Sequence, residues 1–86
     1  MSEDFEEIYI GNKPIPSYLT AGLVALTKQK NIKILGRGNN IKRAVDVAEI
    51  LKRQMNSPKC EVEIGSEDFE DRKVSIIIIE LIGQKK

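Results

Sequence analysis

The chain has 86 residues, 41% of them hydrophobic and 31% charged, with no His, no Trp and one Cys. That is one small domain with a single core, and it lacks an imidazole base or ligand, an intramolecular disulfide and the ligand set of a zinc site. No apolar run reaches the roughly 20 residues needed to cross a bilayer, and no charged-then-apolar leader opens the sequence. The expectation is a reduced, cytoplasmic binding domain with no metal, no cofactor, no small-molecule substrate and no membrane partner.

The net charge of +1 hides an uneven distribution. Residues 1–11 sum to −4, residues 12–59 to +8, residues 60–71 to −6 and residues 72–86 to +3. Two readings of the basic middle stand. It forms one face for a polyanion, or it is a solvated helical surface balanced in three dimensions.

In chain order, Glu6 to Ile10 alternates toward apolar and ends at Gly11-Asn12, a strand and a turn. Pro14 and Pro16 stiffen the connection, and Pro16 suits a helix start, where no amide donor is needed. Ser17 to Gln29 reads as a first helix, with Leu19, Leu23 and Leu26 in a stripe widened by Tyr18, Ala21 and Ala25. Gly22 inside it costs about 1 kcal/mol against Ala, which points to close approach of another backbone. Lys28 and Lys30 suit the negative helix pole. Ile32 to Leu35 is a short second strand, and Gly36 to Asn40 is a turn in which Asn39 or Asn40 caps the next helix.

Ile41 to Met55 reads as the second helix. Ile41, Ala44, Val45, Val47, Ala48, Leu51 and Met55 share its apolar face, against Lys42, Arg43, Asp46, Glu49 and Arg53. Ile50 falls on the polar side, as a lone exposed side chain or as a contact with a second chain. Asn56-Ser57-Pro58 stops the helix. Cys60 to Gly65 alternates as a half-buried strand, Ser66 to Lys73 is a charged hairpin connection, and Val74 to Ile82 is a fourth strand. The unbroken Ile76-Ile77-Ile78-Ile79 run needs cover on both faces. Two helices cover one face, so a second subunit is expected on the other; left bare, the run is an aggregation hazard. The predicted architecture is an α+β two-layer sandwich, β-α-β-α-β-β, with a four-stranded mixed sheet.

Catalytic patterns are missing. Gly36-Arg37-Gly38-Asn39-Asn40-Ile41 lacks the third glycine of a dinucleotide fingerprint. Glu61 and Glu63 share a strand face and read as a solvated edge rather than a catalytic pair. An enzyme is not expected. What remains is the Gly-Arg-Gly turn before a helix start, where backbone amides and the helix pole favour an anion and Arg37 can fork onto a phosphate. The plainer reading is that the glycines only satisfy a tight turn. Lys42 and Arg43 follow in the next turn, and Lys13 belongs to the same end of the sheet if both turns follow parallel strands.

The segment Ile10-Gly11-Asn12-Lys13-Pro14-Ile15-Pro16-Ser17-Tyr18 resembles the G-K-K-P-x-x-x-Y opening of the Alba family of archaeal chromatin proteins. Gly36-Arg37-Gly38 with Ile41 to Ile50 resembles that family's A-R-G-x-x-I-x-[KR]-A-V-D-x-x-E-I block, and Ile64-Gly65-Ser66 and Val74-Ser75-Ile76 resemble its hairpin flanks. The resemblance spans residues 8–82. It implies one domain over 1–86, with 1–5 flexible, and the fold shared with the C-terminal domain of a bacterial translation initiation factor. It implies a homodimer that binds DNA and RNA with little sequence preference, the body across phosphates and the hairpins along the minor groove, on the chromosome of the nucleoid.

The resemblance carries over Lys13, Arg37 and Arg43 as nucleic-acid contacts, and Gly38, Asn39, Lys42, Arg72 and Lys73 are expected beside them. The expected contacts between copies or between dimers are Ile50, Met55, Ile77 and Ile79. Asn12 stands where the family often has an acetylated Lys, Asn39 replaces a second basic loop residue, and Met55 stands where dimer-to-dimer members often carry an aromatic. The hairpin tip departs most: it reads as short, and Glu67, Asp68, Glu70 and Asp71 outnumber Arg72 and Lys73. Weaker or shorter-footprint DNA binding is expected than for a basic paralogue, or a preference for RNA or for a heterodimer with such a paralogue. Three cations per chain of a dimer neutralise about six phosphates, for a log–log salt slope of about −5.

Overall fold

A computed structural model describes residues 5–85. The elements follow the expected order: β1 (Phe5–Tyr9), α1 (Ile15–Thr27), β2 (Asn31–Arg37), a 3-10 turn (Gly38–Asn40), α2 (Ile41–Arg53), β3 (Met55–Phe69) and β4 (Arg72–Lys85). The sheet order is β1-β2-β4-β3, with β1 parallel to β2 and the other pairs antiparallel. Both helices lie on one face, and the 17 Å short axis holds one sheet and one helix layer. Of the leading segment expected to be flexible, Phe5 opens β1 and pairs with Asn31, while residues 1–4 lie outside the described residues.

The alternation of β2 sorts Ile32, Ile34 and Gly36 toward the helices, and that of β4 does the same for Ile77, Ile79 and Leu81. With Ile8, Ile10, Leu26, Val47, Leu51 and Met55 they form one core. Burial of each large aliphatic side chain contributes about 1.5–3 kcal/mol. The buried stripe of α1 is Tyr18, Gly22, Ala25 and Leu26, so the predicted stripe is rotated. Leu23 lies at its margin and Ala21 faces solvent. Gly22 marks a close crossing made by a side chain rather than a backbone. A Cβ there would sit 2.6 Å from Leu51 Cδ1. The chain leaves α1 through Gln29, in the left-handed region at φ 58, and Lys30 Nζ pairs with Glu6.

Four expectations for the second half change. The second helix stops at Arg53, and Met55 is instead the first residue of β3, 1% exposed in the core. Val45, expected inside, is half-exposed because α2 lies over β2 and β4 and only brushes β3. Ile50 is half-buried, not an exposed residue on a polar face. The charged connection expected over Ser66 to Lys73 is mostly strand. β3 and β4 stay paired out to Phe69↔Arg72, with Glu70 and Asp71 alone in the turn and a register shift between Asn56 and Lys59.

Alternation also sorts the isoleucine run. Ile77 and Ile79, expected to contact a second copy, are 6% and 3% exposed and pack with Met55 into this chain's own core. Ile76 and Ile78 point to the helix-free face with Tyr9, Leu35 and Arg37. On the helix side the hairpin projects past α2. Val62 and Ile64, paired with Ile79 and Ile77, are 54% and 74% exposed there.

Candidate nucleic-acid interface

Because β1 and β2 are adjacent and parallel, the turns that follow them open at the same end of the sheet. The first turn is anchored twice. The buried Tyr18 hydroxyl, on α1, accepts the backbone N–H of Gly11 at 2.7 Å and of Lys13 at 3.0 Å. From α2, Arg43 Nη2 donates to the Lys13 carbonyl. Arg43 Nε is shielded from solvent and has no hydrogen-bond partner among the described residues. Lys13 and Arg43 are thus brought together, but as a cation on a loop and the clamp of that loop. The sequence reading missed both anchors. The tyrosine's signal was its spacing from Lys13, one helical turn into α1; the arginine's contact, thirty residues distant, left none.

The second turn is built by its two glycines. Gly36 is buried under the start of α2, where a Cβ would sit 2.8 Å from Ala44 Cβ and 2.9 Å from the Asn40 carbonyl oxygen. Gly38 has φ 53, and the Asn40 side chain makes no cap to α2. Between the glycines, Arg37 is drawn onto the hairpin. Its Nε lies 3.1 Å from Glu67 Oε1, and its guanidinium carbon lies 5.6 Å from the Phe69 ring centre. Lys42 is paired with Asp46 at 3.2 Å along α2. Gly38 and Asn39 share a groove with Arg72, Lys73 and Ser75 at the outer hairpin. Across the ribbon, Asp68 sits opposite Lys73.

The expected cations therefore gather as two groups, Lys13 with Arg43 and Arg37 with the hairpin, and Lys42 is held along its own helix. The helix-free face adds a feature the sequence reading did not single out. Tyr9, Leu35, Arg37, Glu67, Ile76 and Ile78 surround a cavity of about 310 Å³. The Tyr9 hydroxyl donates to Glu7 at 3.0 Å, and this bond to a carboxylate holds the phenol above its ordinary pKa. Among the described residues, no cluster of His, Cys, Asp and Glu is arranged to hold a metal ion, and no helix is long and apolar enough to cross a membrane.

The Alba family model matches residues 6–65, across both turns, α2 and the root of the hairpin. The chain belongs to the Alba family. It is 39% identical over 88 residues to the DNA/RNA-binding protein Alba of Nitrosopumilus maritimus, with 93% of each chain covered. It is 36% identical to the DNA/RNA-binding protein Alba of Nanoarchaeum equitans, over 88% of this chain and 96% of the other. The solved structure of Alba from Thermoplasma volcanium superposes with a TM-score of 0.71 at 28% identity, over 90% of this chain and 99% of that one. ALBA1 of Trypanosoma brucei shares the fold, with a TM-score of 0.76 at 21% identity, covering 91% and 68% of the two chains. The order and sheet expected from the sequence are those of this family.

Proposed function

We propose that this Alba-family chain binds DNA and RNA along the phosphate backbone, with little sequence preference, as a homodimer working on the chromosome. The observation that carries the reading is the anchored Lys13 loop beside the Gly36-Arg37-Gly38 turn, at the common end of two parallel strands. Amides and cations at such turns suit phosphates and carry no base information. The curated relatives are named DNA/RNA-binding proteins, which supports the same chemistry here. Self-association is supported by the exposed Val62 and Ile64 on the helix side of the hairpin, a surface one chain leaves bare. Binding rather than catalysis is the role.

Arg43 is committed to the loop carbonyl, so the phosphate contacts reduce to Lys13 and Arg37. Four contacts per dimer give a log–log salt slope of about −4, shallower than the −5 expected from three cations. Gel shifts with two unrelated duplexes and a structured RNA, from about 50 to about 200 mM salt, should give parallel lines of that slope. A stable dimer that shifts neither nucleic acid would instead favour a regulatory partner, most simply a heterodimer with a more basic paralogue. The acidic stretch Glu67 to Asp71 is the observation behind that second reading.

A further inference from the structure

The cavity on the helix-free face has the composition of a base site. Its floor is apolar, from Leu35, Ile76 and Ile78. One wall is the Tyr9 ring, 66% exposed yet tied through its hydroxyl to Glu7. A ring this exposed gives the single-chain core little, but it offers a flat π-face held in place. Arg37 also lines the cavity, its Nε taken by Glu67 while the guanidinium still carries its Nη donors. Arg37 is itself one of the proposed phosphate contacts, so the cavity adjoins that site. The bare apolar surface suited to a second copy lies on the other side of the sheet, at Val62 and Ile64.

We propose that this cavity holds one unstacked nucleobase of a single-stranded nucleic acid, stacked on Tyr9, while the adjoining phosphate rests on Arg37. The proposal builds on the phosphate-binding reading above. Aromatic platforms beside a cation are how proteins hold single strands without reading sequence, since every base has a π-face. A duplex keeps its bases stacked and paired inside and would have to extrude one, at a cost of a few kcal/mol. The cavity therefore separates single strands, loops and bulges from perfect duplex, a distinction that backbone contacts alone do not make.

The test compares Tyr9→Ala and Tyr9→Phe with the unaltered protein. The probes are a fluorescent adenylate RNA of about a dozen nucleotides, the same strand with abasic sugars, and a duplex of equal length. Tyr9→Ala should weaken binding to the base-bearing strand by about 5- to 100-fold. It should abolish the preference over the abasic strand and leave duplex affinity unchanged. Tyr9→Phe, which keeps the ring and loses only the hydroxyl, should retain the preference. Tyr9 is exposed, so neither variant threatens the fold. Unaltered single-strand binding by Tyr9→Ala, or equal losses for strand and duplex, would overturn the base site while leaving phosphate binding intact. If the unaltered protein binds none of the probes, the phosphate reading fails and the base site falls with it.

Discussion

The two turns at the ends of the parallel strands present cations by different means. The β1–α1 turn hangs from the phenol of buried Tyr18, which accepts two amides in partly buried bonds, and from half-buried Arg43, which donates to the Lys13 carbonyl at the surface. The β2–α2 turn is shaped by glycines, and its Arg37 is steadied only by exposed contacts with Glu67 and Phe69, the paired side chains being 56% and 42% exposed. Hydrogen bonds between neutral groups, such as the phenol with its two amides, are insensitive to salt, whereas an exposed ion pair weakens once the Debye length falls to its own dimensions. The first cation is thus placed by the fold, and the second is placed by its surroundings.

The sharpest way to break this comparison is Tyr18→Phe. The ring stays in the core, but the amides of Gly11 and Lys13 lose their shared acceptor. Leaving partly buried donors unpaired costs about 1–3 kcal/mol. Urea denaturation should show that loss with an unchanged m-value, and low-salt DNA binding should weaken because Lys13 is no longer held. Wild-type stability would mean that water replaces the phenol and that the turn is not anchored as described.

Next in size is the contrast between the two arginines. Arg43→Ala removes the clamp on the Lys13 carbonyl and should cost about 1–2 kcal/mol of stability. It should leave the salt slope near that of the parent. Arg37→Ala should move stability by no more than about 0.5 kcal/mol, yet weaken binding to all sequences alike and flatten the slope by about 2 in a dimer. Denaturation and salt-titrated gel shifts on the same preparations decide it. If the patterns were exchanged, Arg43 would be the phosphate ligand and Arg37 the structural residue.

Much of this architecture was legible beforehand because it is written in periods. The alternation in Ile32–Ile34 and Cys60–Ile64 and the broad apolar face of the second helix set the order of elements. The family blocks around Lys13 and Arg37 pointed to the two turns. What escaped depends on contacts between segments distant in sequence. Met55 looked like the last turn of a helix because a methionine suits either period, and only the pairing of Met55 with Lys85 makes it a strand residue. The parity of the isoleucine run was hidden because four identical residues carry no alternation, so the sequence does not say which two face the helices. Ser66 to Lys73 read as a connection because its acidic residues have low strand propensity. Pairing of Asp68 with Lys73 and Ser66 with Ser75 nonetheless carries the ladder to the tip. Arg43 looked like any surface cation. Its inward turn depends on a carbonyl thirty residues earlier.

The smallest expected effect tests what Glu67 does to Arg37. A carboxylate held at the guanidinium stands close to any phosphate that arrives there. Two like charges about 6 Å apart in water repel by about 0.7 kcal/mol, or about 3-fold in affinity for each chain. Glu67→Gln keeps a side chain of the same shape and removes that charge. A dimer should then bind duplex DNA up to about 10-fold more tightly at low salt, with the gain fading as ionic strength rises. Glu63→Gln is the control. Glu63 lies on the same face of β3 opposite Ile78, so it removes an equal charge from the same strand. Equal gains from the two variants would assign the effect to the overall acidity of the ribbon. Weaker binding by Glu67→Gln would mean that the carboxylate aligns Arg37 for phosphate rather than competing with it. That would place Arg37 beside Lys13, as a second cation whose position is fixed by a partner it cannot do without.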